Sequence, residues 1–333
     1  MDIGFFPDVG TTFFLPRLDD KVGYYVALTG TVLSGLDAYL LGFGTHYVHS
    51  ERLEALVNRL LSLQPPIVAE KQASDNHRTP VDSTAEFYAQ VNEILDEFAE
   101  NALPKDKSFP FTPEQLKVIN EAFSKPTVEQ IFQYLHEEGS EFALQTLYTL
   151  KSKPPSSLKV ALELLNAGAK NTIKQQLELE LVSATNLMHI APKDSDFVKG
   201  VSHKLIDKIK EPKNPQWNLA ENPLGISAEW VNSILSSSAA SAKLETPLIQ
   251  KFFGVDFAEY PYHMGLPLNK EVREYITGDD GSGRSYLPTP AEVEKHFLHK
   301  TSNKVGVAAK VRSVLAVHGE ASKYNDKYVS WVN

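Results

Sequence analysis

Ile3-Gly4-Phe5-Phe6-Pro7-Asp8-Val9-Gly10, with Phe13-Phe14-Leu15-Pro16-Arg17-Leu18 just behind it, is the stretch on which the reading of this chain turns. Pro7 locks its own φ, and Gly4 and Gly10 can adopt backbone angles closed to other residues, so the segment reads as a compact turn that delivers the carboxylate of Asp8. Asp8 also stands where a helix N-cap would stand, ahead of a short helix through Thr11, Phe13 and Phe14 that Pro16 would end. A carboxylate after proline and before a helix is most often a cap, worth about 1 kcal/mol. A catalytic role would need a second acid in a different environment to share the proton work, and the neighbouring acid is Asp2.

Working outward, the apolar spacing predicts helices over 21–28, 36–41 and 51–63, with Thr45-His46-Tyr47-Val48 as a short β-prone segment between the last two. Residues 1–64 read as one unit. The polar, proline-bearing stretch 65–84 reads as a linker or insertion. A helical block follows at 85–248, with helices predicted over 85–99, 113–123, 127–138, 141–151, 156–167, 172–188 and 196–209, several of them opened by Thr or Ser caps. Residues 249–333 read as an appendage, with a glycine-rich acidic turn at 278–283 and a basic helical segment over 303–315.

The 333 residues carry a formal net charge of −9, which argues against a molecule-wide electrostatic footprint for nucleic acid. There is no cysteine, which excludes disulfides, thiolate nucleophiles and cysteine-held metal centres in this sequence. No apolar run approaches the roughly 20 residues of a membrane-spanning helix, and no membrane partner is expected. Walker A, dinucleotide-binding, GxSxG and HExxH patterns are all missing. The loop Gly281-Ser282-Gly283-Arg284 lacks the strand and helix that make such loops phosphate cradles, and no metal site is expected. His203, Lys204, Lys208, Lys210 and Lys213 form a basic cluster that reads either as a solvated helix face or as a contact for phosphate groups. His46, with no nucleophile near it in sequence, reads as structural.

IGFFPDVG followed by FFLPRL resembles the 3-hydroxyisobutyryl-CoA hydrolases of the crotonase, or enoyl-CoA hydratase, superfamily. Three further segments carry the resemblance in the same order: ALTGTVLSGLDAYLLGFGTHYV at 27–48, KSKPPSSLKVALELL at 151–165 and DFVKGVSHKLIDK at 196–208. The resemblance implies an α/β fold class, the crotonase ββα-spiral, in a chain that is itself mostly α-helical because most of the β-spiral is expected to be missing. It implies a mitochondrial acyl-CoA thioester hydrolase with a catalytic carboxylate at Asp8 and no cofactor beyond the coenzyme A of the substrate, and Lys204 and Lys208 of the basic cluster are then candidate contacts for the phosphates of coenzyme A. The partner glutamate falls, on this register, just before Met1, and the glycine-rich oxyanion segments further upstream. The chain is therefore expected to be N-terminally shortened, with Phe5, Phe6, Phe13 and Phe14 partly uncovered. Thr11 and Thr12 stand where these hydrolases commonly carry glycines, and Lys199 where a glutamate is usual. Residues 249–333 resemble the C-terminal extension of fungal relatives found in the mitochondrial small ribosomal subunit. This adds a non-catalytic structural role in that subunit as the alternative, with Lys304, Lys310 and Arg312 as candidate phosphate contacts.

Overall fold

Several helices in this chain begin where a side chain can accept one of the first free amides. Thr112 and Thr172 take the amides of Gln115 and Gln175, and each glutamine returns its side chain to the threonine backbone, closing capping boxes at the starts of the helices Pro113–Phe123 and Ile173–Met188. The computed structural model describes residues 1–64, 83–105, 109–218, 225–238, 256–260 and 262–332. Of the expected linker, residues 65–82 lie outside the described residues, as does the 248/249 boundary. The helices are α1 Thr11–Phe14, α2 Val22–Thr29, α3 Gly35–Leu40, α4 Leu53–Leu61, α5 Ser83–Phe98, α6 Pro113–Phe123, α7 Val128–Glu138, α8 Glu141–Lys151, α9 Pro155–Gly168, α10 Ile173–Met188, α11 Asp196–Val201, α12 Ala228–Leu235, α13 Asn269–Thr277, α14 Pro290–Lys300 and α15 Val307–His318. One antiparallel hairpin, β1 Gly319–Ser322 with β2 Asn325–Trp331, closes the described chain.

Two compact units emerge, each built from two separated stretches: 1–32 with 111–259, and 33–110 with 260–333. In the first, α9 is buried on nearly every side, through Leu158, Val160, Ala161, Leu162, Leu164 and Leu165. That is the pattern of a central helix rather than a surface one. Tyr25 of α2 sits among Phe111, Phe123 and Phe142, with ring centroids 5.5 to 5.8 Å away. The second unit has its own core, in which Leu36, Tyr39 and Leu40 of α3 pack with Val272, Ile276, Val293, Phe297, Val311, Val314 and Val329. Gly306, at φ 88, lets α15 start hard against Tyr39 and Leu40. The segment 260–332 is therefore a folded half of a core.

Three local expectations fail. Gly10, not Asp8, is the N-cap of α1, and no side chain caps that helix. The Thr45–Val48 segment forms no strand, because among the described residues no second strand lies beside it; the Glu100 amide donates to the Tyr47 carbonyl at 2.8 Å. The predicted helix 196–209 stops being α-helical at Val201, widens into a π-turn over Ser202–Ile206, and ends near Lys208 at φ 51. Of the four phenylalanines expected to be partly uncovered, Phe6 and Phe13 are buried and Phe5 and Phe14 are half-buried.

Candidate functional site

The Asp8 turn is built from the backbone outward. Gly4, at φ 75, lies so close to α11 that a Cβ there would stand 2.2 Å from the Asp196 carbonyl oxygen. Gly200 of α11 meets Ile3 just as closely. With the entry to the turn pinned this way, the Asp8 carbonyl accepts the Thr11 amide at 3.1 Å and the Thr11 hydroxyl at 2.7 Å. Val9, at φ 54, and Gly10, at φ 85, complete the reversal. The Asp8 side chain is exposed, so its carboxylate is presented outward and is not used as a cap.

Beneath the turn lies a group that reading the sequence missed. Glu180 of α10 is 4% exposed, and its carboxylate accepts the amides of Gly10 at 2.7 Å and Thr12 at 3.1 Å, together with a short hydrogen bond from the Thr12 hydroxyl. Gln176, one turn earlier, donates to the Thr12 hydroxyl at 2.7 Å and to the Leu164 carbonyl at 3.0 Å. Burial pushes the Glu180 carboxyl above its ordinary range, against the pull of those hydrogen bonds, and the charge of Asp8 adds to the rise. The signal was present in sequence: Gln176, Glu180, Ser183 and Leu187 recur at helical spacing, and all four are buried. The Thr12 hydroxyl, at a position expected to be glycine, is what joins Glu180 to Gln176.

The basic cluster does not gather into one patch. His203 is buried, with Nε2 2.8 Å from the Pro212 carbonyl. Lys204 reaches towards Asp2 at 4.0 Å, and Lys153 forms a tighter ion pair with the same carboxylate. Although burial would raise it, the Asp2 carboxyl lies below the usual range because of the Lys153 hydrogen bond and the charges of both lysines. Lys208 is exposed. Lys199, where a glutamate was expected, donates instead to the Asn218 side chain. A cavity of about 430 Å³ opens where Gly4 meets α11, lined among others by Ser156, Asp196, Phe197, Asn218 and Trp230. The Asp196 carboxylate in its wall accepts the Ser156 hydroxyl at 2.6 Å and the Asn218 amide at 2.7 Å, so it is already satisfied.

In the second unit the three candidate phosphate contacts are occupied. Lys310 is buried and donates to Asn269, Arg312 is paired with Glu294 at 2.7 Å, and Lys304 is held by His46 and Asp96. Asp280 accepts the amide and hydroxyl of Ser282, closing the acidic turn on itself. Among the described residues no group of three or more His, Asp or Glu side chains is placed to hold a metal ion, and no helix is long and apolar enough to cross a membrane.

Comparison with known proteins matches residues 1–235 to the family described as Enoyl-CoA hydratase/isomerase. The 3-hydroxyisobutyryl-CoA hydrolase, mitochondrial, of Homo sapiens is 37% identical over 212 residues, covering 63% of this chain and 48% of the human protein. The small ribosomal subunit protein mS47 of Neurospora crassa is 30% identical over 349 residues, covering 99% of this chain and 60% of the fungal protein. The chain thus spans about half the length of the curated hydrolases it matches. Among solved structures, a carnitinyl-CoA dehydratase from Mycobacterium thermoresistibile shares 25% identity at a TM-score of 0.52, covering 72% of this chain and 58% of that one. The crotonase-type likeness expected from the sequence is thereby met, in a chain whose described residues are mainly helical.

Proposed function

This chain belongs to the enoyl-CoA hydratase/isomerase family, and on that premise we propose that it supplies the Asp8 carboxylate to an acyl-CoA thioester hydrolase acting on 3-hydroxyisobutyryl-CoA in mitochondria. The products are 3-hydroxyisobutyrate and coenzyme A, and no cofactor is needed beyond the coenzyme A carried by the substrate. The observation that carries this reading is the Asp8 turn. Its carboxylate is free of capping duty and projects outward from a backbone tied down at Gly4, Gly10 and Thr12. Such a group can orient the substrate hydroxyl or move a proton on the attacking water. The chemistry also needs a second acid and an oxyanion hole, worth on the order of a hundredfold per donor, which the resemblance assigns to residues ahead of Ile3-Gly4.

Asp8→Asn removes the charge from an exposed side chain and is expected to lower coenzyme A release by about a hundredfold while leaving the melting temperature unchanged. The assay uses 3-hydroxyisobutyryl-CoA and any form of the protein that contains this segment. Release indifferent to Asp8, or no release from any such form, overturns the hydrolase reading.

A second reading rests on a different observation. The likeness to the fungal ribosomal protein runs over 99% of the chain, including the residues beyond 235 that the family match leaves out. In this reading the protein is also a component of the mitochondrial small ribosomal subunit, and the unit that contains 260–332 contributes docking surface. Cofractionation with small subunits through a salt wash is the expected result. Recovery only in the soluble matrix would exclude it.

A further inference from the structure

Lys304, His46 and Asp96 come from three distant parts of the second unit and meet around a small cavity. Lys304 Nζ lies 2.6 Å from His46 Nε2 and 2.8 Å from the Met264 carbonyl, with Asp96 Oδ1 at 3.4 Å. The same Asp96 oxygen is 2.9 Å from His46 Nε2, and His46 Nδ1 is 3.0 Å from the Thr45 hydroxyl. The side chains of Lys304 and His46 are 8% and 3% exposed. Nε2 cannot accept from Lys304 and donate to Asp96 at the same time, because a ring nitrogen holds either a lone pair or a proton. Two proton arrangements therefore fit one geometry. In the first, Lys304 donates to a bare Nε2. In the second, a proton has passed to Nε2 and is received by Asp96, leaving the amine neutral. Burial lowers the proton affinity of both Lys304 and His46.

Beside this cluster is a cavity of about 150 Å³ lined by Lys304, Tyr39 and Asp96, with Asn101, Ser302 and Asn303 among its exposed lining residues, so that it communicates with solvent. Tyr39 donates its hydroxyl to the Val305 carbonyl at 2.5 Å, which ties down the backbone next to Lys304. Ser302 and Asn303 approach that backbone through left-handed conformations, at φ 52 and 61, a shape that Asn accepts more readily than Ser. A nucleophile within reach of a base, with a third group to receive the proton, is the arrangement that activates weak nucleophiles.

We propose that Lys304 is an acyl-acceptor site, taking a small acyl group from a thioester with His46 as base and Asp96 as the carboxylate that accepts a hydrogen bond from the protonated ring. Lys304 Nζ attacks the thioester carbonyl carbon, and a carbon–nitrogen bond forms. Nζ begins as an ammonium and loses two protons: the first passes to His46 Nε2 and on to solvent, and the second leaves with the thiol as the carbon–sulfur bond breaks. The product is a neutral amide, which removes the cation that joins 304 to Asp96. No oxidant or further reactant is required.

The test uses the 333-residue chain with acetyl-CoA as the probe at pH 8, and peptide mass spectrometry to time acetylation at each lysine. Lys304 is expected to be labelled at least tenfold faster than Lys270, whose side chain is 73% exposed. His46→Gln is expected to bring Lys304 down to the Lys270 rate or below, with circular dichroism reporting whether the variant folds. Labelling of Lys304 in the unmodified chain no faster than Lys270 overturns the proposal, whatever the variant does. An undiminished Lys304 rate in folded His46→Gln overturns the role given to the histidine.

Discussion

Gly168→Ala is expected to destabilise the first unit by about 3 kcal/mol, at the upper end of overpacking costs, and to lower its melting temperature by roughly 6–12 °C. A Cβ at position 168 would lie 1.9 Å from the Thr12 carbonyl oxygen and 3.3 Å from the Gln176 side chain. The first neighbour is backbone, so the strain cannot be relieved by a rotamer change. Either α1 lifts away from the end of α9 or α9 shifts as a whole, and both movements disturb the Glu180 contacts that hold the Asp8 turn. Differential scanning calorimetry of the variant decides it: an unchanged transition would mean that α1 does not seat on α9 as described.

Glu180→Ala is expected to cost about 3–5 kcal/mol, because it leaves the Gly10 amide, the Thr12 amide and the Thr12 hydroxyl without their acceptor in a buried place. Glu180→Gln should cost less. Its Oε1 can still serve Thr12, while its Nε2 must face the Gly10 amide, donor against donor. The pH dependence follows from the raised position of the Glu180 carboxyl. A group that holds its proton more tightly folded than unfolded adds stability that is fully present below its unfolded pKa and is lost as pH rises through the folded one. The native chain should therefore gain on Glu180→Gln as the solution is acidified from neutrality toward the ordinary glutamate range. Urea melts of both proteins at neutral and mildly acid pH test this, and a difference that is flat or shrinks on acidification contradicts it.

How much was legible depended on whether the relevant forces were local. The helices at 113–123 and 141–151 follow from Thr or Ser caps, an apolar face and no internal breaker, and the structure has them at those bounds. The Asp8 turn was legible as a turn because Pro restricts the backbone and Gly frees it wherever they stand. What the carboxylate does there was not: capping and presentation differ by a rotation that the contacts of Gly10 and Thr12 decide. Thr45–Val48 shows the same limit from the other side. β-branched and aromatic residues favour an extended chain, but a strand also needs a partner edge, and no local pattern says whether one will be near.

His46 was read as structural from its neighbours in sequence, and its side chain is buried. Its contacts with Asp96 and Lys304, 50 and 258 residues away, are matters of folding. The sequence by itself determined the family, the helix starts and the presence of a turn bearing Asp8, because motifs, caps and glycine or proline geometry are written in adjacent residues. Only the tertiary structure decided that Glu180 anchors that turn, that 33–110 shares a core with 260–333, and that a lysine and a histidine compete for one proton. Each of those depends on removing distant groups from water together, and the cost or gain of doing so belongs to the contact rather than to either segment.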